Sequence, residues 1–207
     1  MVEIISLGGF SQAFLIKEGN NAILVDTSNE NKEQIYNKIK NENISLIILT
    51  HGHTDHVANC KYLADELNVP IAMHKADYPM ISENIIPRLY ADGLVGNIIG
   101  LFTRLMPSKL EPFKVDLFLE NNQSLKEYGI NGVIYELPGH TKGSIGILLD
   151  NDKFIVGDAL FNMLKPTPSR IYENKQEMLK SVEKIKNLNV KTIYCGHGDS
   201  FDINKIK

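Results

Sequence analysis

The 207-residue sequence predicts an α/β fold in which two mixed β-sheets are covered by helices. Three observations carry the prediction. Apolar runs of strand length recur in both halves of the chain, helix-period stretches lie between them rather than after them, and closely spaced strand runs suit hairpins. An all-parallel wound sheet has no use for hairpins. No linker or short-period repeat interrupts the pattern, so a single domain over residues 1–207 is expected.

Taken in order, the runs 2–7 (VEIISL), 12–16 (QAFLI) and 22–26 (AILVD) read as strands, the last two forming a hairpin across the turn-rich KEGNN segment. Residues 30–42 carry Ile35 and Ile39 on one helical face. The β-branched run 45–50 (SLIILT) reads as a buried strand. A helix is expected over 55–67, where Val57, Cys60, Leu63, Ala64 and Leu67 form a stripe, with a further strand at 70–73. Between about 75 and 112 apolar residues crowd together and are broken by Pro87, Arg88, Asp92 and Arg104, which predicts a helical apolar insertion of one or two short helices. Strands return at 115–119, 133–137, 144–149, 153–157 and 190–195, with a helix at about 174–187.

With 43% apolar and 23% charged residues, the chain is not disordered. A chain of this size buries roughly 70% of its unfolded surface, so its core needs no disulfide staples. The 22 basic residues, scattered against 25 acidic ones, leave no electrostatic footprint for a nucleic acid, and no such partner is expected. Even in 75–112 no uninterrupted apolar run approaches the ~20 residues of a bilayer span. Cys60 and Cys195 are too few for a secreted disulfide framework, and the first residues lack the basic and apolar regions of a signal peptide; a cytoplasmic protein is the expectation.

The chemistry sits directly after SLIILT, in His51-Gly52-His53-Thr54-Asp55-His56. In an extended segment His51 and His53 point to the same side and can grip one ion across Gly52. If Thr54 caps the next helix, Asp55 and His56 fall in its first turn, diverge by roughly 100°, and can reach toward a second ion. Three more ligand-type residues follow predicted strands with glycine close by: His140 in LPGHTKG, Asp158 in IVGDALF and His197 in YCGHGDS. A lone histidine at a strand end is ordinarily a satisfied half-buried residue. Imidazoles and carboxylates packed this densely are costly to bury without a cation to unite them.

Those residues resemble the metallo-β-lactamase-fold hydrolase superfamily, whose HxHxDH motif stands here as His51, His53, Asp55 and His56, with His140, Asp158 and His197 matching the later ligands in order. The resemblance covers nearly the whole chain and implies a four-layer αβ/βα sandwich with the site at one edge of two mixed sheets. It implies two divalent metal ions: His51, His53 and His140 on the first, Asp55, His56 and His197 on the second, and Asp158 bridging. Zinc suits the nitrogen and oxygen ligands, and iron or manganese is compatible with them. A carboxylate at 158 resembles the glyoxalase II branch rather than true β-lactamases. Asp55 is ligand first and base second. Asp26 is either a carboxylate supporting the metal histidines or a turn residue after AILV. Thr141 beside His140, His74 after a strand, and Phe161 three residues past Asp158 are further candidates around the site; at 161 lactone-opening relatives often carry Tyr. Where many relatives have Gly-Gly after the motif, this chain has Asn59-Cys60, and where they have Asp-x-Gly it has Asp26-Thr27-Ser28.

Two divalent ions about 3.5–4 Å apart lower the pKa of a shared water toward ~7, which makes a hydroxide nucleophile and removes the need for a Ser or Cys one. The expected function is hydrolysis of an ester, thioester or lactone bond in a small molecule. Glyoxalase II carries a C-terminal extension with glutathione contacts, whereas this sequence runs ten residues past His197, which turns the expectation away from glutathione thioesters. Tyr90, Phe102, Leu105 and Met106 of the insertion either line an acyl pocket or form a satellite core or homodimer contact. Phosphodiester cleavage, persulfide oxidation by a mononuclear iron, and a metal-binding sensor without catalysis are the competing readings.

Overall fold

Alternation along the strands decides the layering. In the computed structural model, which describes residues 1–93, 110–150 and 152–206, Phe14, Ile16, Ile23, Val25, Leu46 and Ile48 point one way, while Ala13, Leu15, Ala22, Leu24, Ile47 and Leu49 point the other. The first set meets Ile134, Ile145, Ile147, Leu149 and Ile155 from a second sheet. The second set packs beneath helices carrying Ile35, Ile39, Cys60 and Leu63. A third cluster joins the outer face of the second sheet, through Leu148, Phe154 and Val156, to Val182 and Ile185 of a long helix. Helix, sheet, sheet and helix thus stack in four layers, the αβ/βα sandwich.

The first sheet has the order β1-β2-β3-β4-β5-β7, from β1 (Glu3–Gly8), β2 (Ala13–Glu18), β3 (Asn21–Val25), β4 (Ile44–Ile48), β5 (Ile71–Met73) and β7 (Leu117–Phe118). β1, β2 and β3 pair antiparallel, and β3, β4, β5 and β7 pair parallel. The second sheet runs β15-β14-β10-β9-β8, built from β8 (Gly132–Glu136), β9 (Ile145–Leu149), β10 (Lys153–Gly157), β14 (Thr192–Cys195) and β15 (Phe201–Asp202). Its β10–β14 pair is parallel and the others antiparallel, so both sheets are mixed as expected. Two small ladders join β11 (Leu160–Phe161) to β12 (Thr167–Pro168) and β6 (Tyr90–Ala91) to β13 (Ile171–Tyr172).

Helix α1 (Lys32–Ile39) is shorter than the 30–42 expected, because the Asn31 side chain accepts from Gln34 N and sets its start. The helix expected over 55–67 is two helices, α2 (Thr54–Val57) and α3 (Cys60–Leu67). The break has a tertiary cause: the buried Asn59 amide donates to the carbonyls of Thr27, Ser28 and Glu30 at 3.2, 3.1 and 2.9 Å. His53, not Thr54, occupies the N-cap position of α2, yet Asp55 and His56 still fall in its first turn. The strand expected at 115–119 contracts to Leu117–Phe118, since Asp116 takes the Ile71 amide with its side chain.

Of the insertion expected at 75–112, a 3-10 turn (Lys75–Asp77) and α4 (Tyr78–Ser82) are helical, followed by the extended β6. Phe102, Leu105 and Met106 lie outside the described residues. Tyr90 pairs with Tyr172 and stays 47% exposed. Helix α5 (Lys175–Asn187) begins where expected, its Asn174 side chain accepting from Gln176 N and Glu177 N. Among the described residues no helix is long and apolar enough to cross a membrane.

Candidate metal centre

Strand ends deliver the side chains. His51 follows β4, Asp158 follows β10 and His197 follows β14, while His140 stands in the turn between β8 and β9. The seven ligand-type residues singled out in the sequence converge at this edge. His51, His53 and His140 form one group, Asp55, His56 and His197 another, and His51, His56 and Asp158 a third between them; within each, the ligand atoms lie within 4.8 Å of one another. Asp158 is the hub: His56 Nε2 lies 3.4 Å from its Oδ1, and His140 Nε2 and His197 Nε2 lie 3.4 Å from its Oδ2. Asp55 Oδ2 stands 3.3 Å from His197 Nε2. The buried set is deep, whereas the Asp55 side chain is 32% exposed, which places the solvent opening on its side.

Four imidazoles have their orientation settled from behind. His56 Nδ1 donates to Asp26 Oδ2 at 2.9 Å, His197 Nδ1 to the Phe10 carbonyl at 2.9 Å, and His140 Nδ1 to the Ile171 carbonyl at 2.8 Å. His51 reaches the same end by relay. The Thr50 hydroxyl donates to Asp26 Oδ2 at 2.8 Å, so at its 3.0 Å contact it accepts from His51 Nδ1. Each ring therefore turns its Nε2 toward Asp158, the atom a metal would take in place of any proton there. His53 differs, with Nδ1 facing His140 Nε2 at 2.9 Å.

The electrostatics are those of a cation site. Burial lowers His51 well below its usual range, with the neighbouring His56 adding to the effect. Burial likewise brings His140 down to about 4 against the opposing pull of Asp158. Burial opposes charge on His56 and His197 too, but the carboxylates of Asp158 and Asp55, joined by Asp26 at His56, together outweigh it, raising His56 well above its usual range and His197 to about 10. Asp158 would be raised by burial, yet His197 and His56 hold it well below the usual carboxylate range. The same contest leaves Asp55 at about 2, burial being outweighed by the His56 charge and the His197 bond. Three buried atoms, His51 Nε2, His53 Nε2 and Asp158 Oδ1, have no hydrogen-bond partner among the described residues. Orphaned buried acceptors of this kind are costly, and nitrogen and oxygen donors converging on one point fit a divalent ion.

The other candidates separate clearly. Asp26, buried with φ 56°, is no mere turn residue: it holds the Thr50 amide at 2.7 Å as well as His56. Phe161 lies over the centre, its ring 6.2 Å from that of His140 and 5.2 Å from that of His197. Thr141 turns its hydroxyl away from the centre, donating to Asp77 Oδ2 at 2.6 Å. His74 is not in the centre. Its Nδ1 accepts from Ala76 N, and its Nε2 lies 3.5 Å from Glu136 in a surface cleft of about 540 Å³ lined also by Phe118 and Asn121.

Sequence reasoning missed Asp77, Ser169 and the Phe10 carbonyl. Asp77 is 1% exposed and accepts from Gly52 N, Gly143 N and Thr141 Oγ1. Burial raises its pKa against the pull of those bonds. A lone aspartate after a short strand carries no pattern; the available signal was the pair of glycines inside the two ligand loops it occupies. Ser169 stands 3.1 Å from His140 Nδ1, with no mark in the sequence.

A fold of this kind, with this donor set at the edge of its two sheets, defines a metallo-hydrolase scaffold. Residues 7–197 match the metallo-beta-lactamase superfamily, and the chain belongs to it. A hydroxyacylglutathione hydrolase of Pelagibacter ubique is 30% identical over 191 residues, 91% of this chain and 66% of the relative, so the chain spans just under two thirds of that protein. The crystal structure of the B3 metallo-beta-lactamase BLEG-1 matches with a TM-score of 0.75 and 21% identity, covering 99% of this chain and 95% of the other. A protein designated TTHA1623, crystallised in a di-iron-bound form, matches with a TM-score of 0.73 and 21% identity over 98% of this chain and 95% of its own.

Proposed function

We propose that this chain is a dinuclear metal-dependent hydrolase that cleaves an ester, thioester or lactone bond of a small molecule. The observation that carries the reading is the arrangement of four histidines, each held by its Nδ1 and each presenting Nε2 toward Asp158. His51, His53 and His140 would hold one ion, Asp55, His56 and His197 the other, with Asp158 shared. Two divalent ions there would lower the pKa of a shared water toward ~7 and draw charge from a carbonyl oxygen. Zinc suits the donors, and the di-iron form of the structural neighbour keeps iron in view.

The chain's own residues supply the rest. Asp55, ionised at neutral pH and nearest the opening, accepts a hydrogen bond from the attacking water and orients it toward a substrate entering on that side. Phe161 excludes water above His140 and His197 and offers no hydroxyl to an oxyanion, which favours ester or thioester chemistry over a tyrosine-assisted lactone opening. The hydroxyacylglutathione hydrolase relative supports a thioester as the first substrate to try. The proposal includes one domain over 1–207 with the 75–112 insertion as lid or homodimer contact, and a cytoplasmic setting, supported by two free, buried thiols.

The test is metal analysis followed by a substrate panel of esters, thioesters, lactones and phosphodiesters. Two equivalents of metal per chain, turnover of a carbonyl substrate, and loss of both in Asp158→Ala are expected. One iron per chain with persulfide oxidation, turnover of phosphodiesters alone, or no turnover at all would each overturn the proposal.

A further inference from the structure

The buried carboxylate of Asp77 is not used by the chemistry above, yet it joins two ligand loops. Its Oδ1 accepts from Gly143 N at 2.6 Å; its Oδ2 accepts from Gly52 N at 3.0 Å and Thr141 Oγ1 at 2.6 Å. Gly52 separates His51 from His53, and Thr141 follows His140, so all three donors belong to loops of one ligand group. The other group is braced elsewhere: His56 by Asp26 and His197 by the Phe10 carbonyl.

The two glycines show how closely the fit is drawn. A Cβ on Gly143 would lie 2.5 Å from Asp77 Oδ1 and 2.7 Å from its backbone nitrogen. A Cβ on Gly52 would lie 2.9 Å from Met80 Sδ and 3.2 Å from the Asp77 carbonyl. At Gly143 a side chain would have to move Asp77 itself or the ligand loop, whereas at Gly52 the Met80 thioether can turn aside and the Asp77 carbonyl leaves a gap tight by a few tenths of an ångström. Glycine next to these ligands therefore serves the approach of Asp77 and Met80 as well as any approach of substrate.

We infer that Asp77 is a positioning residue for one metal position only, clamping the His51–His53 loop to the His140 loop so that three imidazole nitrogens meet at one ion. The inference rests on the metal reading above. Removing an outer partner of this kind weakens metal binding about 10–100-fold. That loss falls on one equivalent. The position formed by Asp55, His56 and His197 keeps its affinity, because none of its braces runs through Asp77.

Metal-free parent, Asp77→Asn, Thr141→Val and Thr141→Ser proteins are titrated with zinc against a chromophoric chelator, and with cobalt(II) followed by its visible spectrum. The expected result is two tight equivalents in the parent and in Thr141→Ser, and one tight plus one weakened about 10–100-fold in Asp77→Asn. In Thr141→Val the same equivalent weakens by a smaller factor, with the cobalt bands changed for that equivalent alone. Should Asp77→Asn fail to fold, the Val and Ser pair at 141 carries the test. Parent-like affinity for both equivalents in the variants overturns the inference while leaving the metal reading standing. Equal weakening of both equivalents also overturns it, since that is the mark of a general loss of structure. A parent that binds a single equivalent, weakened by Asp77→Asn, refutes the dinuclear proposal and supports this one; a parent that binds none refutes both.

Discussion

Replacing Asn59 by Ala should unravel the loop that carries Asp26. The Asn59 amide has two protons and spreads them over three carbonyls, those of Thr27, Ser28 and Glu30. Thr27 and Ser28 are fully buried, so the carbonyls released have little recourse to water. Two buried donors lost, at about 1–2 kcal/mol each once the stranded acceptors are included, come to about 2–4 kcal/mol. At about 2–4 °C per kcal/mol for a chain of this length, the melting temperature of the metal-free protein should fall by about 5–15 °C. Asp26 and Ser28 add to the leverage, since both sit in the left-handed region, with φ 56° and 55°, where a side chain costs roughly 1–2 kcal/mol. Asn59→Asp, which keeps the shape and removes the donors, should be at least as damaging as Asn59→Ala. Ser28→Gly should restore part of the loss in the Asn59→Ala background by relieving the backbone. Thermal unfolding of the four proteins decides the matter; a fall below about 2 °C in Asn59→Ala, or a neutral Asn59→Asp, refutes the reasoning.

The metal-free protein should be most stable near pH 6.5 and less so on either side. As pH falls from 6.5 to about 4 the unfolded chain gains a proton on His140 that the folded protein refuses, and as pH rises from 6.5 to about 10 the folded protein keeps a proton on His197 that the unfolded chain has lost. Thermal melts across this range should give a maximum, and His140→Asn should make the acid limb shallower without touching the alkaline one, the lowered His51 supplying what remains of it; a melting temperature flat from pH 4 to 10 would contradict the assignments. Cys60 and Cys195 are buried, and burial pushes the Cys195 thiol up to about 12. A disulfide-exchange reagent at pH 8 should therefore label neither cysteine in the folded protein and both in guanidinium, and rapid labelling of the folded chain would show that the packing around them is wrong.

Much of the layering was legible because residues two apart along a strand choose the same side. The run from Leu46 to Leu49 serves two different cores by simple alternation, with Ile44 out of phase across a register shift, and its composition announces a strand without help from the rest of the chain. Where the sequence reading went astray, a tertiary contact had overruled a local pattern. The stripe from Val57 to Leu67 is continuous in period, and nothing within it foretells that Asn59 turns its amide to a loop some thirty residues earlier. Strands such as β6, β11 and β13 hold two residues each, too few to express a period at all.

The seven ligand-type residues stood out for a related reason: each breaks an apolar or glycine-rich context with a group that is costly to bury alone. The residues that aim them have no such contrast. Asp26 ends a strand as any turn aspartate does, and Asp77 closes a 3-10 turn; each becomes informative only when the amides and hydroxyls around it are known. Yet the two carboxylates divide the work between them. Asp26 fixes His56 directly and His51 through Thr50, from the side of the first sheet. Asp77 ties Gly52 to Thr141 and Gly143 across the gap between the two sheets. His51 is the one imidazole served by both, through its own Nδ1 and through the backbone that follows it, and it is also shared by two of the three ligand groups. A change at either carboxylate should therefore reach His51, but by different routes: loss of Asp26 frees the ring to rotate, whereas loss of Asp77 lets the loop beneath it shift.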